Sequence, residues 1–269
     1  MNVSFSTRSG ARPSERSGGP AAVGIGDQQM NASLAGKSVL ITGASAGIGR
    51  ATAIALAQAG AKIIATGRRA GELDTLAHEL GSQVIATPAG DLNDPGFVDE
   101  LVAAACEVDI LVNNAGVLKY APIMDMTDDD CEWMFRTNVL ASFRVMRRIA
   151  AAMVERRRGH IIVISSIAAR EVYGLGVLYC ATKHALSAIL RGFRIELQGY
   201  GIKVTEIAPG MVETDIRASS DHPTVVAAIK ARKFFGLTPE EVAEAAVYAA
   251  QATPNCCPDL IELRPRGAA

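Results

Sequence analysis

The 269-residue sequence lacks any apolar run of the roughly 18–20 residues that a membrane span requires; its longest uncharged apolar stretches are strand-sized. It also lacks a charge of one sign. The net charge is −1, which gives no basic face from composition and argues against nucleic acid as a partner. Its five cysteines, Cys106, Cys131, Cys180, Cys256 and Cys257, are odd in number, and their spacing fits no zinc or redox motif. Reduced thiols in a cytoplasmic protein are the expectation. The four histidines are scattered, so no metal site is expected.

What is present is a globular composition, 49% hydrophobic and 20% charged. Residues 1–33 differ. "STRSGARPSERSGGP" is rich in Ser, Gly, Arg and Pro and has no apolar core of a signal peptide. It reads as a disordered N-terminal extension. A transit peptide is the other reading, and Glu15 and Asp27 count against it. From residue 34 to 269 one domain is expected.

From Gly36 onward, strand-like and helix-like patterns alternate. "KSVLITG", "AKIIATG", "QVIATPAGD", "VDILVNNAG", "HIIVISS", "IKVTEIAPG" and "DLIEL" read as seven strands. Helical periodicity lies between them, including a long region at about 127–157 and another at 179–199. Continuous Val/Ile/Leu strands are those covered on both faces, and strand–helix alternation implies parallel pairing with right-handed crossovers. The expected architecture is α/β: a single doubly wound Rossmann domain, with a seven-stranded parallel sheet and helices on both faces.

"TGASAGIGR" follows the first strand and opens the first helix. Gly43 allows the tight turn, Gly47 lets backbone approach a pyrophosphate, and Gly49 lets helix pack on strand. Ser45 and Ile48 belong to the same turn. Free N–H groups and the helix dipole there favour phosphate. The second strand ends "IIATGRR", with no acid until Glu72. An NAD site usually offers an acid there for the ribose hydroxyls. Arg68, following Gly67, can instead pair with a 2′-phosphate, so NADP is expected.

Tyr179 and Lys183 in "YCATK" are i and i+4 on a helix and share a face. A free phenol titrates near 10 and is a poor acid–base group at neutral pH. Lys183, with an oxidised nicotinamide, is expected to lower that value into a usable range. Ser166 ends the fifth strand, where an open parallel sheet forms its ligand crevice.

Together these residues resemble the short-chain dehydrogenase/reductases of the single-domain type. The resemblance runs from Leu34 to about Leu263 and rests on "TGASAGIG", "GDL" with Asp91, "NNAG", "TNV" with Asn138, Ser166, "YCATK" and "PGMVET". It implies that Ser166 polarises the substrate oxygen, Tyr179 transfers the proton, and Lys183 lowers the Tyr179 pKa and binds the nicotinamide ribose. Asn138 would hold a water linking Lys183 to solvent. Asp91 and Leu92 would flank the adenine. Asn113 and Ala115 would line the cofactor path. Pro209, Val212 and Thr214 would border the nicotinamide. Ser165 is the alternative to Ser166, Asn114 is expected to tie strands, and Cys180 to pack.

"IIATGRR", "LTPEEVAEA" and "LIELRP" are similar to NADP-dependent 3-hydroxy acid (serine-type) dehydrogenases. The implied activity is hydride transfer between NADP and the carbinol or carbonyl carbon of a small alcohol, hydroxy acid, ketone or aldehyde. A small molecule is thus the expected partner, with no membrane and with homo-oligomerisation, as dimer or tetramer, implied by the resemblance. Substrate choice is expected in Arg170–Leu178 and in a lid at Met211–Gly236, where Arg217, Lys230, Arg232 or Lys233 could dock a carboxylate. The alternative is a catalytically silent dinucleotide-binding sensor, or a non-redox enzyme on the same fold. Intact Asn138, Ser166, Tyr179 and Lys183 weigh against the silent sensor.

Overall fold

The structure, a computed structural model, describes residues 33–232 and 235–267. The disordered extension expected at 1–33 lies, apart from Ser33, outside the described residues, as does Lys233.

Seven strands form one sheet: β1 (Ser38–Thr42), β2 (Lys62–Thr66), β3 (Val84–Ala86), β4 (Ile110–Asn113), β5 (Gly159–Ile164), β6 (Ile202–Pro209) and β7 (Leu260–Leu263). Their spatial order is β3-β2-β1-β4-β5-β6-β7, and every pairing is parallel. The chain reverses direction across the sheet between β1 and β4. That switch opens a crevice beyond the carboxyl ends of the strands.

The period-2 alternation sends successive side chains to two separate cores. Val39, Ile41, Ile63, Val112 and Ile162 pack under α1 (Gly47–Gln58), α2 (Ala70–Leu80) and α8 (Pro239–Gln251). Leu40, Ile64, Leu111, Ile161 and Val163 pack under α3 (Pro95–Ala105), α5 (Ser142–Arg156) and α6 (Val177–Leu197). Leu40, Ile41 and Leu111 are wholly buried, each contributing about 1.5–3 kcal/mol of transfer free energy. Burial on both faces explains why these strands carry no polar alternation.

Helix ends follow local chemistry. Asp94 caps α3, accepting from Gly96 N at 2.9 Å ahead of Pro95. Thr238 and Glu241 form a capping box on α8.

Two expectations need correction. The strand expected through "QVIATPAGD" is only three residues long; Pro88 lacks an N–H for the ladder, and Thr66 Oγ1 takes its carbonyl instead. The helix expected at about 127–157 is interrupted: α4 (Asp128–Phe135) passes into a π-helical turn at Arg136–Ala141 before α5. The Met211–Gly236 segment holds a helix, α7 (Pro223–Lys230). No helix of the described residues is long and apolar enough to cross a membrane.

His160 on β5 is 3% exposed, with Nε2 2.8 Å from Thr205 Oγ1 and Nδ1 unpartnered. Burial first, and Lys203 second, push its pKa from 6.5 down to about 3. The unfolded chain therefore takes the proton first. This contribution to stability is full above about 6.5 and is lost as pH falls toward about 3, amounting to on the order of 4 kcal/mol. Urea unfolding at stepped pH should show a steeper loss between pH 6.5 and 4 in the native protein than in His160→Gln; parallel slopes would refute it.

Candidate active site

The β1–α1 turn is built for close approach. Gly43 and Gly47 have φ of +68° and +52°, which favour glycine. A Cβ on Gly49 would fall 2.3 Å from Gly43 O, so no other residue fits at that crossing. Ala46 occupies the N-cap of α1 and offers no side-chain acceptor. The first-turn N–H groups of α1 are left without a cap and suit a phosphate.

This turn forms one wall of a cleft of about 440 Å³. Ser45, Ile48, Asp91, Leu92 and Ala115 line it. Gly67 also lines it and packs on the turn; a Cβ there would come 3.0 Å from Ser45 Oγ. Arg68 and Arg69 both border the cleft. Arg69 donates to Ser45 Oγ from Nε and Nη2, each at 3.3 Å. The sequence reading singled out Arg68 and missed Arg69, although the "GRR" repeat was the available signal. An uncapped helix start, glycine-limited walls and two guanidinium groups fit a dinucleotide carrying an additional phosphate.

Not every expected cofactor residue lines the cleft. Asn113 is 2% exposed at the end of β4, its Oδ1 is buried without a partner, and it is not among the residues that line the cleft. Gly49 acts through packing. Asn114 ties strands, as expected. Its N donates to Thr42 Oγ1 (3.0 Å) and its Nδ2 to Thr42 O (2.9 Å).

A second cavity, of about 370 Å³, adjoins the first, and Ile48, Thr214 and Ile216 border both. Ser166, Tyr179 and Lys183 meet there, along with Pro209 and Val212. Lys183 Nζ donates to Ile164 O at 3.3 Å and lies 5.7 Å from the Tyr179 ring centroid. Ser166 Oγ accepts from Ala168 N (3.1 Å) in a 3-10 turn, and the Ser166 hydroxyl acts to lower the Tyr179 phenol. Ser165 also borders the cavity, but its Oγ is buried without a partner.

Asn138 is 1% exposed and is drawn to this region by the π turn rather than lining it. Its Oδ1 accepts from Val117 N (2.7 Å), and its Nδ2 donates to Val117 O (2.8 Å) and Thr182 Oγ1 (3.1 Å). Thr182 Oγ1 in turn donates to Tyr179 O (2.7 Å), so Asn138 clamps the Val117 loop to the catalytic turn of α6. Cys180 packs with Leu118 and Met134 off the site.

In the protein alone the Tyr179 phenol is pushed above its ordinary value, by burial first and Tyr120 second. Ser166 and Arg217 pull it down. Burial depresses Lys183 to about 8, and Glu206 opposes that shift.

The remainder of the second cavity is apolar: Leu118, Leu175, Met211, Val225 and Ile229, with Tyr120 edge-on to both Tyr173 and Tyr179. Arg217 and Arg232 line it, and among the described residues Lys230 does not and no carboxylate does. The sequence named the two segments that build it but missed Tyr120, which lies in neither.

The short chain dehydrogenase family profile matches residues 37–224. The chain is 36% identical over 226 residues to an NADP-dependent 3-hydroxy acid dehydrogenase of Schizosaccharomyces pombe, covering 80% of this chain and 87% of that protein. It is 37% identical over 220 residues to an uncharacterized oxidoreductase of Staphylococcus haemolyticus, covering 80% and 91%. Among solved structures it is similar to the closed form of a serine dehydrogenase complexed with NADP+, at TM-score 0.79 and 33% identity, covering 86% of this chain and 96% of the other.

Gly49→Ala should lower stability by about 1–3 kcal/mol, the usual cost of overpacking, and weaken dinucleotide binding along with it. A melting curve and a nucleotide titration check both; an unchanged Tm would show that the turn can relax.

Proposed function

The chain belongs to the short-chain dehydrogenase family, and from that premise we propose that it transfers a hydride between NADP and the carbinol or carbonyl carbon of a small hydroxy acid, alcohol, ketone or aldehyde. The observation that carries this reading is the meeting of Ser166, Tyr179 and Lys183 in a cavity that shares a border with the glycine-turn cleft.

Gly43, Ser45, Gly47 and Ile48 would hold the pyrophosphate side of the dinucleotide, and Arg68 with Arg69 its 2′-phosphate. Asp91, Leu92 and Ala115 would border the adenine half. Pro209, Val212 and Thr214 would border the nicotinamide. When bound, the nicotinamide supplies or accepts the hydride.

Ser166 Oγ donates a hydrogen bond to the substrate oxygen. Tyr179 Oη gives its proton to that oxygen in reduction and takes it back in oxidation. Ser166, Arg217 and the charge of an oxidised cofactor oppose the desolvation that holds the phenol up. Lys183 steadies the ring and the ribose. Asn138 holds the first turns of α6 in place through Thr182.

The cavity has cations at Lys183, Arg217 and Arg232, the last ion-paired with Glu213 at 2.7 Å, and no carboxylate among the described residues that line it. An ammonium on the substrate would find no partner there, whereas a carboxylate would. Hydroxy acids without an amino group therefore fit better than serine itself.

Tyr179→Phe should lower kcat by about 10²- to 10⁴-fold while NADP still binds. Steady-state assays with NADP and NAD in parallel check this; full turnover in the variant would sink the assignment, and preference for NAD would mean that Arg68 and Arg69 do other work. Arg217→Met should reduce kcat/KM for a hydroxy acid by about tenfold, the scale of one charge-assisted contact, with little effect on the neutral alcohol of equal length. Equal losses on both would assign Arg217 to Tyr179 instead of to substrate.

A further inference from the structure

On β6 the alternate residues Ile202, Val204 and Glu206 point toward α6, and the first two belong to the apolar core beneath it. The third is a carboxylate only 4% exposed. Such a group costs several kcal/mol to bury unless it is partnered. Its partners are specific. Ser187 Oγ donates to Oε2 at 3.1 Å, and Arg170 Nη1 donates to Oε1 at 3.2 Å.

Ser187 lies one helical turn after Lys183 on the same face of α6. The β5–β6 register sets Val163 beside Glu206 and Ile164 beside Ile207. Lys183 Nζ donates to Ile164 O. The ammonium and the carboxylate thus lie on one side of the sheet, under one helix and one register step apart. We propose that Glu206 is a positioning residue for the reaction assigned above, its carboxylate being the counter-charge that keeps the buried Lys183 ammonium charged, with Arg170 setting how much of that charge Lys183 feels. This rests on the function proposed above.

Among the described residues Glu206 is the counter-charge that acts on Lys183. Burial pushes it down, and Glu206 alone acts in the opposite sense. From its own helix it faces Tyr179, and from the π turn Asn138; both are neutral. Arg217, Tyr120 and Cys180 act on the phenol. Glu262 of β7 reaches Arg170 at 3.2 Å, and Arg264 holds Glu262 at 2.7 Å. Arg170 is therefore divided between two carboxylates and neutralises Glu206 only in part.

Carbonyl reduction requires a protonated Tyr179 and a charged Lys183, and of the two Lys183 loses its proton first. The test is kcat/KM for carbonyl reduction against pH at saturating NADPH. In Glu206→Gln the alkaline fall should move to lower pH by about one unit, the scale of one nearby charge, so that the loss grows with pH. In Arg170→Met it should move the other way, and Glu206→Asp should restore the native profile. Opposite shifts from two partners of one ion pair would not follow from a merely structural role. Unmoved profiles, or losses of equal size at every pH, would overturn the proposal. If Glu206→Gln does not fold, the upward shift in Arg170→Met decides. If no carbonyl is reduced at all, the proposed function fails, and the proposal is then decided by Lys183 Nζ titration in ¹⁵N-lysine NMR, assigned with Lys183→Met.

Discussion

The site depends on one tie between two strand ends. Thr42 closes β1 and Asn114 follows β4, and their hydrogen bonds hold the carboxyl ends of these strands together where the chain changes direction across the sheet. The helices leaving those strands pass to opposite faces, so a crevice must open above the tie. Gly49 lets α1 settle directly over Gly43, which brings the glycine turn to the crevice edge. The same Thr42 hydroxyl fixes Ala115 N and thereby sets the course of the Gly116–Val117 loop, the segment that Asn138 clamps from the other side.

On this frame the chemistry is a matter of opposed desolvations. Tyr179 and Lys183 are both buried, and burial works against each charged form: the phenol is driven up and the ammonium down. Ser166 and Arg217 act on one member and Glu206 on the other. The site is therefore held by polar groups from the turn after β5, from β6 and from the segment after β6, rather than by an isolated tyrosine–lysine pair.

Much of this was legible in the sequence because it is local. Strands covered on both faces read as unbroken apolar runs, and "TGASAGIG" states its own turn geometry. The i,i+4 relation of Tyr179 and Lys183 requires only a helix. What escaped was non-local or quantitative. Tyr120 reaches the cavity across 53 and 59 residues of sequence to stack on Tyr173 and Tyr179. Arg69 differs from Arg68 only in which way the chain turns after β2. Asn113 and Asn114 are neighbours with different surroundings: Asn113 is buried at the end of β4, whereas Asn114 ties to Thr42 and borders both cavities. The sign of the Tyr179 shift could not be read from the proximity of a lysine, since burial of the ring exceeds the effect of the neighbouring charges.

The π turn at Arg136–Ala141 has a further consequence for how this chain can vary. A π turn holds one residue more than the α-helical turn it replaces. Each residue of an α-helix advances the face by about 100°. Loss of any one residue between Phe135 and Ser142 would let α4 and α5 fuse into a single regular helix. Asn138 would then swing away from Val117 and Thr182, and either Met134 or Val145 would have to leave the core. Insertions and deletions that the surface loops accept are therefore barred from this short stretch, which fixes the reading frame of the helix as strictly as a codon register fixes a gene.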